Sequence, residues 1–117
     1  MTARMLLGVL VVLSMVSLLA PIASSASTRN CPRFRAQGNT FEAIILRGHP
    51  DCATVDKVLR AFMSGKGTMH GPPDGPAYLQ SWTLYGWSCG HGAGGGACIR
   101  GGSGYKNARD WIEAQVA

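Results

Sequence analysis

The chain has 117 residues, 46% of them hydrophobic, and a formal net charge of +5. That length holds one small domain and excludes large multidomain enzymes, coiled coils and solenoids. The hydrophobic residues are unevenly spread: an uncharged apolar run, Met5–Leu19, opens the chain, and beyond Ser27 the residues are mostly polar, glycine-rich or aromatic.

Met1-Thr2-Ala3-Arg4 carries one positive charge, Met5–Leu19 none, and Ala20–Ala26 holds small residues with Pro21 among them. This is the order of a secretory signal, and Ser24-x-Ala26 fits the small-x-small cleavage rule, so residues 1–26 are expected to be removed after Ala26. The competing reading is an uncleaved anchor. Met5–Ala23 is nineteen residues, close to the roughly 20 that span a bilayer, but Pro21 and the cleavage site interrupt its end. A lipid anchor fits less well, because Cys31 comes after Ser27-Thr28-Arg29-Asn30 and not after an apolar box. The expectation is a secreted, extracytoplasmic protein that meets the membrane only through its signal peptide.

In that compartment four cysteines in a short chain read as disulfides. Cys31, Cys52, Cys89 and Cys98 all lie beyond the cleavage site and allow three pairings. The sequential one, Cys31–Cys52 with Cys89–Cys98, is favoured, since Gly90–Ala97 can turn as a hairpin between the second pair. Each bridge stabilises by roughly 2–4 kcal/mol, a large share of what so small a core supplies. From Ser27 onward ten Lys and Arg face six acids. Only Arg29, Arg33 and Arg35 cluster. Such a balance suits either anionic partners or solubility alone.

Residues 27–40 read as a basic arm, irregular until its cysteine is tethered, ahead of a disulfide-braced domain over 41–117. Phe41–Arg47 is β-branched and apolar and predicts a strand. Asp51 is placed to cap a helix that Gly65 ends, with Cys52, Val55, Leu59 and Phe62 on one stripe widened by Val58 and Met63. Asp56, Lys57 and Arg60 fall on the other side. Gly65–Pro76 reads as a loop, Tyr78–Cys89 as an aromatic strand with Gly86 at a bulge, and Ala97–Arg100 as its hairpin partner. Gly101–Gly104 is a turn. Ala108–Gln115 is taken as a strand, because one hairpin is too small to cover a helix. The fold class is α+β: one amphipathic helix packed on a small antiparallel sheet.

Four constellations resemble functional motifs. Gly86-Trp87-Ser88-Cys89-Gly90 matches G-x-S-x-G, but no helix comes after it, Cys89 belongs to a disulfide, and His91 is too near in sequence. His49, His70 and His91 lack the paired cysteine spacing of a zinc site, so no metal and no cofactor is expected and the histidines are assigned to the surface. His91, in a glycine-rich turn, is placed to titrate near neutral pH. Gly92–Gly96 runs into no helix and is a hairpin tip, not a phosphate cradle. Alternation along one strand puts Tyr85 and Trp87 on one face, assigned to the core, and Trp82 on the other, where an uncovered aromatic could stack on a sugar or other ligand.

Cys31, Gly48-His49-Pro50-Asp51-Cys52-Ala53-Thr54-Val55, Gly86-Trp87-Ser88-Cys89 and Ala97-Cys98-Ile99-Arg100-Gly101-Gly102 together resemble small secreted two-disulfide proteins common in actinobacteria, over nearly the whole mature chain. Val55-Asp56 departs from the Ala-Arg frequent there. The resemblance implies export and two disulfides, with no established activity. The function expected is therefore a non-enzymatic, exported binding or interaction protein at or near the cell envelope. Its expected partners are anionic envelope polymers or another secreted protein, and no specific nucleic acid. The alternative is a secreted inhibitor of proteases or other hydrolases, presenting Gly65–Pro76 with Lys66 and Met69. A hydrolase relying on Ser88 ranks third.

Overall fold

The computed structural model describes residues 28–117; the export segment proposed for residues 1–26 lies outside them. Strands β1 (Arg29–Ala36) and β2 (Asn39–Arg47) are followed by helix α1 (Cys52–Met63). Five more strands complete the chain: β3 (Thr68–His70), β4 (Ser81–Leu84), β5 (Trp87–Gly92), β6 (Gly95–Arg100) and β7 (Asp110–Val116). A 3-10 turn, Ala77–Leu79, precedes β4. All seven strands form one antiparallel sheet in the order β1-β2-β7-β6-β5-β4-β3. The last strand is inserted between the second and the sixth, leaving β1 and β3 at the two edges. Among the described residues no helix is long and apolar enough to cross a membrane.

The helix forms as its sequence dictates. Asp51 stands outside it in extended conformation and accepts a 2.7 Å hydrogen bond from the Thr54 amide, satisfying one of the free first-turn donors. At the other end Gly65, at φ +84°, and Lys66 return their amides to the carbonyls of Phe62 and Ala61, at 3.0 Å each. This closure requires a left-handed residue, which glycine supplies without strain. The apolar stripe of α1 buries Val55, Val58, Leu59 and Phe62 in one cluster with Phe34, Phe41, Ala43, Ile45, Trp87, Ile112 and Ala114 of the sheet. Burying each large apolar side chain is worth about 1.5–3 kcal/mol.

Both disulfides take the sequential pairing. Cys31–Cys52 ties the edge strand β1 to the first turn of α1, and Cys89–Cys98 joins directly opposed residues of β5 and β6. These are the bonds of an oxidising compartment.

The sheet is much larger than the sequence suggests, and two expectations are corrected. The basic arm is not irregular: Arg29–Ala36 pairs with β2, with a register shift between Cys31 and Phe34 that accommodates Pro32. Its Phe34 stacks on Phe41 across the hairpin, centroids 5.4 Å apart. The Gly65–Pro76 loop contributes β3, which pairs with β4 at the far edge.

The aromatic strand over Tyr78–Cys89 is likewise two strands. Tyr85 and Gly86, at φ +51° and +81°, make a two-residue turn that sets Leu84 opposite Trp87 and Trp82 opposite Cys89. That fold-back places Trp82, Leu84 and Trp87 on the same, inner face, and leaves Tyr85 exposed at the tip. A strand drawn straight through Gly86 inverts the face of everything beyond it.

Candidate trough on the open face of the sheet

The alternation of β7 decides where a site can form. Asp110, Ile112 and Ala114 are buried, while Trp111, Glu113 and Gln115 point to the outer face. Opposite them on that face, strand pairing aligns Ala97 with Glu113 and Gly95 with Gln115. Gly90 and Gly92 continue the row on β5. The result is a trough of about 810 Å³ whose floor is glycine and alanine and whose walls include Tyr105, Trp111 and Glu113. A smaller hollow of about 250 Å³ adjoins it beyond Tyr105, lined by Tyr78, Ser81, Ser88 and Ile99.

Tyr105 reaches this face because the β6–β7 connection is pinned. The Arg47 guanidinium, at the end of β2, donates to the carbonyls of Tyr105 at 2.6 Å, Lys106 at 3.3 Å and Ala108 at 2.9 Å. It also lies over the Trp111 ring, 5.7 Å from its centroid. Tyr105 and Trp111 then meet with centroids 5.2 Å apart and planes inclined at 55°. Partial burial, and after it the nearby Glu113 carboxylate, raise the Tyr105 pKa above its ordinary 10.0, so the phenol stays protonated and able to donate. The Gln115 amide donates to Glu113 at 3.1 Å, fixing the two polar groups side by side.

On the inner face the charges are committed to structure. Asp110 is 5% exposed and accepts from Arg100 Nε at 2.9 Å and Arg109 Nε at 3.1 Å. Arg100 in turn lies over the Trp87 ring at 4.3 Å. Elsewhere Arg33 pairs with Glu42, and Arg60 with Asp56. Counting Arg47 with these, and Lys57 over the Tyr85 ring, six of the ten basic side chains past Ser27 are held by acids, carbonyls or rings. The basic residues are dispersed, and the Arg29, Arg33 and Arg35 cluster has its middle member neutralised.

Ser88 lies within β5, opposite Ile99, and faces away from His91, three residues on. The G-x-S-x-G segment therefore forms a strand and no nucleophile elbow. His91 lies not in a turn but within β5, opposite Gly96, and its ring stacks on Phe62 at 4.4 Å and against Trp82 at 4.8 Å. It remains partly open to solvent, yet contact with these rings lowers its pKa below the ordinary 6.5. Its titration is thus moved down from the neutral range expected of a free loop. His70 bonds Thr83 at 2.9 Å, and His49 is exposed elsewhere. Among the described residues no three His, Cys, Asp or Glu are grouped to hold a metal ion.

The proposed inhibitory loop is divided among three structures. Lys66 belongs to the helix cap, Met69 to β3, and the Gln80 amide clasps the carbonyls of Pro72, Pro73 and Gly75 at 3.0–3.3 Å. Tyr105, Trp111 and Glu113 are not among the residues singled out from sequence. The one signal for them was a tryptophan on the polar side of the alternation in Asp110–Gln115. Comparison with protein-family models, curated proteins and solved structures returns no match.

Proposed function

We propose that the chain is an exported, non-enzymatic binding protein acting at or near the cell envelope, and that its ligand lies in the trough of the outer sheet face. The observation that carries this reading is the trough itself. One face of the sheet is filled by α1 and the core, while the other presents aromatic and polar side chains over a floor without bulk. Sites of this size with few convergent polar groups are where small ligands and polymer segments bind. The disulfides, the signal-like N-terminus and the resemblance to small secreted actinobacterial proteins support the location. Anionic envelope polymers fit the remaining exposed basic residues, Arg29, Arg35, Lys66 and Lys106, better than they fit the trough.

Fractionating the native protein among culture fluid, salt-washable wall and membrane tests the location, with non-reducing intact mass on each. Recovery from the wall at the mass of residues 27–117 less four hydrogens is expected; full-length mass in the membrane overturns it. Sedimentation with purified envelope tests the site. In salt that screens the exposed basic residues, Tyr105→Ala should weaken pelleting roughly tenfold, and unchanged pelleting refutes the trough.

A second reading, an inhibitor of proteases or other hydrolases, rests on the loop that Gln80 braces, since inhibitory loops must resist cleavage. Potent inhibition of a serine protease with that loop left intact would favour it.

A further inference from the structure

We infer that the trough takes an uncharged saccharide chain, a conclusion that rests on reading the trough as the binding site. Gly90 and Gly92 carry the argument furthest. At every other glycine among the described residues, either a positive φ or crowding around an added Cβ demands the residue. At Gly90 and Gly92 neither holds: φ is ordinary for any side chain, and a Cβ meets nothing within 4 Å. Glycine weakens a strand and commonly marks a close approach by another group. Both residues lie on the trough floor, so a side chain there would occupy the trough and nothing else.

The walls specify the approaching chemistry. Tyr105 is 45% exposed and offers a ring face suited to the C–H face of a pyranose, backed by Trp111, which packs against it and carries the Arg47 guanidinium over its own ring. Glu113 and Gln115, bonded to each other, offer carboxylate acceptors and amide groups to adjacent hydroxyls. The trough lining includes no Lys or Arg and carries the Glu113 carboxylate, which disfavours an anionic ligand, while the nearby Arg47 guanidinium is already engaged by three backbone carbonyls. A cationic ligand is met by the Arg47 guanidinium already over Trp111, and two rings do not make a cage. The hollow beyond Tyr105 extends the path toward Ser81 and Ser88, which favours several linked sugar units over one.

Amide correlation spectra of the oxidised protein provide the test. The uncharged tetrasaccharides of β-1,4-N-acetylglucosamine, cellulose and amylose serve as probes, with choline chloride and polyphosphate beside them. At least one tetrasaccharide should shift Gly90, Gly92 and Trp111. Gly92→Val and Tyr105→Ala should each weaken it roughly tenfold, the loss expected when one stacking contact is removed or blocked. Gly92→Val should do so with no fall in melting temperature. Absence of shifts with all three tetrasaccharides overturns the inference. Shifts of the same amides by choline or polyphosphate overturn the saccharide class while leaving the trough as the site. Envelope pelleting that survives both substitutions overturns the site as well.

Discussion

Gly92 and Gly96 lie on the same hairpin yet should answer an added methyl group in opposite ways. An alanine Cβ at Gly96 would stand 2.7 Å from Phe62 Cε2 and 3.1 Å from Met63 Sδ. The Phe62 ring is 1% exposed and wedged beside His91 and Trp82, so it has little room to yield. Overpacking of this kind costs about 1–3 kcal/mol, and replacing glycine in a strand returns about 0.5–1 kcal/mol. The net expectation for Gly96→Ala is a loss of about 1–2 kcal/mol. At Gly92 only the favourable part applies, a gain of about 0.5 kcal/mol. A separation of about 2 kcal/mol between the variants corresponds to about 10 °C in melting temperature for a domain of this size. Calorimetry or urea unfolding of the two oxidised variants measures it. Equal destabilisation by both would refute the assignment of Gly96 to the helix-packing face and Gly92 to the open face.

Arg47→Ala should release the segment carrying Tyr105, destabilising by about 1–2 kcal/mol from the lost hydrogen bonds. Amide exchange over residues 101–109 should accelerate, with loss of the Tyr105–Trp111 contact in NMR. Removing Cys31–Cys52 by paired alanine substitution should cost more than removing Cys89–Cys98, because its loop spans 21 residues against 9. Chain-entropy reasoning sets both near ~3 kcal/mol, the longer loop being the larger; denaturation midpoints of the two variants compare them. His91 has a lower pKa folded than unfolded, so the unfolded chain binds its proton first. Its stabilisation is complete above the ordinary value of 6.5 and is lost as pH falls from there through the folded value. Unfolding midpoints of the wild type should therefore fall more steeply below pH 6.5 than those of His91→Phe.

The features legible in the sequence were those decided by neighbours along the chain. Helix α1 could be placed with both ends, because Asp51, the 3.6-residue stripe and Gly65 act within a few residues of one another. The disulfides could be favoured from loop length. The strand character of the C-terminus came from the need to cover a helix. Faces were harder. The Tyr85-Gly86 turn reversed the chain where a bulge was expected, and the faces of Trp82 and Trp87 changed with it.

The site itself required the fold. Nothing local joins Arg47 to Ala108 or Gly90 to Glu113. Those residues meet because β7 inserts between β2 and β6, setting the β1–β2 hairpin on one side of it and the β5–β6 hairpin on the other. By itself the sequence determined the helix and its caps, since these depend on local conformation and on period. Only the tertiary structure decided which strands are neighbours. Strand pairing thereby turned one polar sheet face, with two glycines that packing does not require, into a trough.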